Sequence, residues 1–216
     1  EYMDVGSLGK LVAQRGPIPE AVLVRVSEQI LGGLEYLHHL LRIMHRDIKP
    51  NNILINSKGE VKIADFGVSH SSKESSTSFV GTVTYMSPER LKGEKYSYPS
   101  DIWSFGLSIF ESAVGAFPYR TKTISFFEIL TLVIDDPAPT PPPGMFSPNF
   151  CDFIAKTLIK EPSARPTSTQ LLDHPWIISN AQSQKLTLSS FLSGLGVSSL
   201  HIGSHKTRGS GPASPM

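Results

Sequence analysis

Residues 43–67 read IMHRDIKPNNILINSKGEVKIADFG, and this stretch decides the fold. Two short apolar runs, at 53–55 and 61–64, flank the turn residues at 56–59 and predict a β-hairpin. A polar segment, HRDIKPNN, precedes the first strand, and DFG follows the second. Because paired strands of a hairpin run side by side, we expect these two polar segments to lie close together.

Four residues of these segments carry the groups that phosphoryl transfer from ATP requires. That reaction needs a carboxylate to orient the attacking hydroxyl, oxygen ligands for Mg²⁺ and positive charge beside the transferred phosphate. We expect Asp47 to orient the hydroxyl and Lys49 to neutralise the phosphate. Asn52 and Asp65 supply the hard oxygen ligands that Mg²⁺ prefers. The alternative, two polar turns without a common purpose, does not account for both motifs in this order and at this separation.

Helical patterns surround the hairpin. Apolar residues recur every three or four positions from 19 to 41, which predicts an amphipathic helix. The run DIWSFGLSIFESAVG at 101–115 is too long for a strand and predicts a buried helix. Further helices are expected at 124–134, 148–158 and 167–174, with an extended proline-rich connector at 135–144. The chain is therefore predicted to be mainly α-helical.

Composition excludes several classes of partner. The 216 residues carry a net charge of +1 from mixed charges, which predicts no nucleic-acid and no membrane partner. No apolar run approaches the roughly 18 residues of a membrane span. The single cysteine, Cys151, cannot form an internal disulfide, and this favours a reducing cytosolic or nuclear compartment, of which we expect the cytoplasm.

The motifs together resemble the eukaryotic protein kinases. They stand in that family's order: HRDIKPNN at 45–52, DFG at 65–67, SPE at 87–89, DIWSFG at 101–106 and ARPT at 164–167. The resemblance covers residues 1–178 and implies the helical C-terminal lobe of a kinase domain. We expect an extension at 179–203, packed on the lobe, and a disordered tail at 204–216.

This resemblance implies structural partners for the catalytic loop. Glu89 is expected to pair with Arg165, and Asp101 is expected to hold the backbone of the HRD loop.

Three further positions acquire roles from the same resemblance. Lys49 is typical of serine/threonine-type kinases, and Thr82 is the family position that contacts Asp47 and Lys49. Arg46 is typical of kinases whose activation loop is ordered by phosphorylation, because a loop phosphate pairs with this arginine.

The run FVGTVTYMSPERL at 79–91 resembles one branch, the MAP kinase kinases. This implies an enzyme that phosphorylates a Thr and a Tyr of a MAP kinase and is activated by a MAP kinase kinase kinase. Ser78 corresponds to one activating phosphorylation site of that branch, while Ser75 and Thr77 are further, unranked candidates. A serine/threonine kinase of a neighbouring branch is the alternative.

The first residues, EYMD, resemble the hinge strand of a kinase. The resemblance implies that the backbone of Glu1 and Met3 binds adenine, that Leu54 lies under the ring and that Ser7 lies near the ribose. The 216 residues contain no glycine-rich phosphate loop and no strand lysine after it. We therefore expect the N-terminal lobe to be absent from this sequence, which alone would be inactive. The alternative is a non-catalytic binding or scaffold module made of one lobe.

Overall fold

The structure is a computed structural model that describes residues 1–65, 83–119, 126–181 and 187–196. It contains the strands β1 (Gly6–Ser7), β2 (Ile53–Ile55) and β3 (Val61–Ile63). The α-helices are α1 (Leu8–Arg15), α2 (Glu20–Glu35), α3 (Pro88–Leu91), α4 (Pro99–Val114), α5 (Phe126–Ile134), α6 (Pro148–Thr157), α7 (Ser168–Leu172), α8 (Pro175–Ala181) and α9 (Leu188–Gly194). The mainly helical fold with a short hairpin, predicted from the sequence, is confirmed.

Helix α2 buries the apolar stripe from which it was predicted. Val22, Val26, Ile30 and Leu34 are all almost completely buried. Beyond Glu35 the chain continues as a π-helical turn, Tyr36–Leu41, rather than as α-helix to the predicted end. Hydrophobic packing therefore fixes α2 against the rest of the lobe, directly before the catalytic loop.

Helix α4 is the most enclosed element, with nearly every residue from Ser100 to Ala113 buried. Its buried hydroxyls bond to the helix itself: Ser104, Ser108 and Ser112 each donate to the carbonyl four residues earlier. At Gly106 helix α6 approaches so closely that an added Cβ would lie 2.1 Å from Thr157 Oγ1. A helix packed on every side in this way is a rigid support for whatever bonds to it.

The hairpin is part of a three-stranded antiparallel sheet, because β1 pairs with β2. Neither β1 nor α1 follows from the apolar pattern, since β1 has two residues and α1 has only eight. The end signals of α1 are nevertheless in the sequence. The Ser7 side chain accepts from the Lys10 N–H, and Gly16 closes the helix with a φ of 83°.

The C-terminal helix α9 packs on the hairpin turn and on α2. Leu188 and Leu192 are buried, and the Ser189 backbone lies against Gly59. Across the described ranges, no helix is long and apolar enough to cross a membrane.

Candidate active site

The catalytic loop brings Asp47, Lys49 and Asn52 into direct contact. Lys49 Nζ lies 2.8 Å from Asp47 Oδ2, and Asn52 Nδ2 donates to the same oxygen at 2.8 Å. Asn52 Nδ2 also donates to the Asp47 carbonyl. The 3₁₀ turn Pro50–Asn52 creates this geometry, because it bends the chain back over the aspartate. A half-buried carboxylate thus has a cation and an amide donor beside it.

The backbone of the loop is held by Asp101 on α4. Its two carboxylate oxygens accept from the backbone N–H groups of His45 and Arg46, each at 2.8 Å. His38 Nε2 lies 2.8 Å from the same carboxylate, and the His38 ring stacks on Tyr98. Asp101 is thus buried and bonded to the backbone of the HRD loop.

His45 connects the loop to the strand that leads to Asp65. Its Nε2 lies 3.0 Å from the Ala64 carbonyl, and its Nδ1 accepts from the Asp47 N–H at 3.3 Å. These partners assign the proton of the neutral ring to Nε2. Burial lowers the pKa of His45, although the carboxylates of Asp101 and Asp47 act in the opposite direction. The histidine is therefore a neutral structural bridge at physiological pH.

The two expected Mg²⁺ ligands, Asn52 and Asp65, lie at the same end of the hairpin, one before β2 and the other after β3. The Ala64 N–H donates to the Asn52 carbonyl at 2.8 Å, and Asp65 is the next residue. Asp65 is exposed and has a φ of 58°, a left-handed conformation. Because Asn52 uses Nδ2 toward Asp47, its Oδ1 is available as a ligand. One amide oxygen and one carboxylate form a donor set that fits Mg²⁺.

The residues expected to contact the nucleotide lie around β1. Ser7 is opposite Leu54 in the register of β1 and β2, which brings the two predicted contacts together on the sheet. The Met3 carbonyl accepts from the Gly6 N–H at 3.0 Å. The Glu1 carboxylate lies 3.4 Å from Lys62 Nζ at the surface. Glu1 and Met3 therefore precede the sheet at the edge where Ser7 and Leu54 pair.

Glu89 and Arg165 form a buried ion pair behind the loop. Arg165 Nη1 and Nη2 lie 3.0 and 3.3 Å from the two oxygens of Glu89. Arg165 also donates to the carbonyls of Ile159, Lys160 and Pro99. Burial alone would raise the pKa of Glu89, but the hydrogen bonds and charge of Arg165 outweigh it and lower that pKa. All members of the pair are thus hydrogen-bonded, as a buried charge requires.

Four predicted positions, Ser75, Thr77, Ser78 and Thr82, lie outside the described residues. Their expected roles in phosphorylation and in contacting the catalytic pair stay predictions.

The structure adds residues to which the sequence analysis assigned no role: His38, His45 and Arg90. A signal exists for His38, since it falls four residues after Leu34 on the apolar face of the predicted helix. A polar side chain on such a face needs a buried partner. For Arg90 no periodicity points to the catalytic loop, because the contact joins residues far apart in sequence.

Comparison with known proteins agrees with the fold and the site described above. The model of the protein kinase domain matches residues 1–177, and the chain belongs to the protein kinase family. The curated relatives indicate the branch of the family, because they carry the name MAP kinase kinase. The resemblance predicted from the sequence is confirmed.

Three relatives illustrate the match. Mitogen-activated protein kinase kinase 1c of Physcomitrium patens is 50% identical over 186 residues, which cover 82% of this chain and 54% of the relative. Mitogen-activated protein kinase kinase 3 of Arabidopsis thaliana is 48% identical over 195 residues, which cover 89% of this chain and 37% of the relative. Dual specificity mitogen-activated protein kinase kinase dSOR1 of Drosophila melanogaster is 43% identical over 202 residues, which cover 82% of this chain and 50% of the relative. The chain spans about half the length of most of these relatives.

Proposed function

We propose that this chain supplies the C-terminal-lobe half of the active site of a MAP kinase kinase. The enzyme transfers the γ-phosphate of ATP, with Mg²⁺, to a Thr and a Tyr in the activation loop of a MAP kinase. An upstream MAP kinase kinase kinase activates it, and the cytoplasm is its compartment. The observation that carries the proposal is the meeting of Lys49 and Asn52 on the Asp47 carboxylate.

The geometry supports separate roles for Asp47, Lys49 and Asn52. Both close contacts of its carboxylate use Oδ2, so Oδ1 is the atom that accepts the proton of the substrate hydroxyl. Lys49, whose Nζ lies 2.8 Å from this carboxylate, would offset the negative charge that develops on the transferred phosphate. Asn52 fixes the orientation of Asp47 through its amide, so the base needs no rearrangement when substrate arrives.

Nucleotide and metal binding follow from the neighbouring groups. Asn52 Oδ1 and the Asp65 carboxylate would hold Mg²⁺, which neutralises phosphate oxygens when bound. Leu54 on β2 would contact the adenine ring, with the backbone of Glu1 and Met3 on its edge and Ser7 beside the ribose. Arg46 would bind the phosphate of the phosphorylated activation loop, for which Ser78, Ser75 and Thr77 are the candidate sites.

Dual specificity is supported by the name of the Drosophila relative. The test uses the full-length protein encoded by the gene, incubated with labelled ATP and a MAP kinase whose own activity has been removed. The expected product carries phosphate on both the Thr and the Tyr of the activation loop. Phosphate on serine or threonine alone would instead support a kinase of a neighbouring branch. Binding of the MAP kinase without any transfer would support the non-catalytic module.

The 216-residue chain assayed by itself is expected to transfer phosphate at a negligible rate. Lys49 is a cation beside Asp47, but no glycine loop or strand lysine occurs within the 216 residues. A turnover of about 1 per second or more by this chain alone would contradict that expectation.

A further inference from the structure

Arg90, in the SPERL motif, contacts the catalytic loop although the chemistry proposed above assigns it no part. Its Nη1 donates to the Arg46 carbonyl oxygen at 2.7 Å, across 44 positions of sequence. Its guanidinium lies 5.2 Å from the centre of the Tyr96 ring. Arg90 belongs to α3, a separate element from both the loop and α4, so it ties a third part of the lobe to the loop.

The peptide group that Arg90 holds is the one directly before Asp47. Arg46 has a φ of 73°, a left-handed conformation that is unfavourable for a non-glycine residue and needs outside support. Asp101 holds the Arg46 N–H, and Arg90 holds the Arg46 carbonyl. The N–H of the same peptide group, which belongs to Asp47, donates to His45 Nδ1. This peptide is therefore fixed at both its oxygen and its nitrogen.

Orientation of that peptide sets the direction of the Asp47 side chain. If ψ of Arg46 changes without a compensating change in φ of Asp47, the Asp47 Cα–Cβ bond turns, and the carboxylate moves away from Lys49 and Asn52. The carbonyl of Asp47 is already held by Asn52 on the far side. On the near side, His45 of the loop holds the peptide nitrogen, and Arg90 adds a bond to the peptide oxygen from outside the loop.

The bond from Arg90 to the Arg46 carbonyl is exposed to solvent, but its donor is charged. Burial lowers the pKa of Arg90, but Tyr96 and the carboxylates of Asp101 and Asp47 favour its charged form. Arginine remains protonated in proteins, and hydrogen bonds from a charged donor are roughly twice as strong as neutral ones. The Tyr96 ring under the guanidinium limits its other orientations.

We propose that Arg90 is a positioning residue, which fixes the direction of the Asp47 carboxylate by holding the Arg46 carbonyl and so couples α3 to the catalytic loop. The catalytic consequence rests on the proposed function, whereas the ordering of the loop does not. The two parts are tested separately.

The ordering is tested on this chain by hydrogen–deuterium exchange of Arg90→Met. Methionine keeps much of the side-chain length and removes the donor. We expect the peptide covering 45–48 to exchange about tenfold faster, with exchange in 102–110 unchanged. Lys92→Met is the matched control, since Lys92 is exposed beside the same helix, and it should leave both peptides unchanged. Unchanged exchange at 45–48, or faster exchange throughout α4, would overturn the proposal.

The catalytic part is tested in the full-length protein. Arg90→Met should lower kcat about tenfold or more while the KM for ATP stays within about twofold. Arg90→Lys retains one donor and should recover part of kcat and part of the exchange protection. Normal kcat in Arg90→Met would refute the positioning role. An inactive wild-type protein would contradict the proposed function instead, and the exchange experiment would still decide whether Arg90 orders the loop.

Discussion

The carboxylate of Asp101 lies 2.8 Å from the backbone nitrogen of Arg46, although the two residues are 55 positions apart in sequence. This contact joins the most enclosed helix of the lobe to the strained residue before Asp47. The Asp101 side chain thereby links the rigid core to the HRD loop.

Replacing Asp101 by asparagine tests that relationship. The amide retains one acceptor, so one of the two buried N–H groups of His45 and Arg46 loses its partner. We expect the free energy of unfolding to fall by about 3 kcal/mol, measured by urea denaturation. Asp135→Asn on the exposed connector is the control and should change it by less than about 0.5 kcal/mol. Equal effects of the two substitutions on the free energy of unfolding would mean that the Asp101 contacts do not stabilise the fold more than an exposed carboxylate does.

The Glu89–Arg165 pair predicts a dependence of stability on pH. Glu89→Gln should cost about 3 kcal/mol at neutral pH, because it leaves the buried Arg165 guanidinium without its counter-charge. The pKa of Glu89 in the folded protein is below its ordinary value of 4.5. Its contribution is therefore complete above that value and is lost as the pH falls through the lowered pKa.

The measurement is the difference in unfolding free energy between the wild type and Glu89→Gln as a function of pH. The difference should be constant above the ordinary pKa and should shrink in more acidic solution. Glu94→Gln, at an exposed position nearby, gives the baseline. If the difference in unfolding free energy grew on acidification, it would contradict a lowered pKa of Glu89 in the folded protein.

The close approach of α4 and α6 predicts opposite results at two helical glycines. Gly106→Ala places a methyl group against Thr157 and should destabilise the protein by about 2–3 kcal/mol. Gly32→Ala has open space in α2 and should stabilise it by about 0.5–1 kcal/mol through helix propensity. Thermal unfolding distinguishes the two signs.

A double substitution provides the internal check. Combining Gly106→Ala with Thr157→Ala removes the hydroxyl that the new methyl would meet, and should recover part of the lost stability. Purely additive losses would show that the contact at Thr157 is not the cause.

Local pattern was sufficient to predict the long helices and the hairpin. The apolar stripe predicted α2, and the hairpin with Asp47, Asn52 and Asp65 at its open end followed from two short apolar runs and a turn. The pairing of Glu89 with Arg165 came from family resemblance, because nothing in the spacing of two residues so far apart indicates that they touch.

What local pattern could not predict depends on tertiary contacts. Strand β1 has two residues and exists because it pairs with β2, while the π-helical turn at Tyr36–Leu41 departs from the helix period that predicted it. The contacts of His38 and Arg90 with the loop region join positions that are distant in sequence. Such contacts require the fold itself, since no periodicity encodes them.

The central claim is that Asp47 acts on the reaction rather than on nucleotide binding. Its most direct test is the steady-state kinetics of Asp47→Asn in the full-length protein, with a MAP kinase as substrate. The account predicts that kcat falls by about 100-fold or more, while the affinity for ATP stays within about twofold of the wild type. Loss of ATP affinity, or a kcat that remains near the wild-type value, would contradict it.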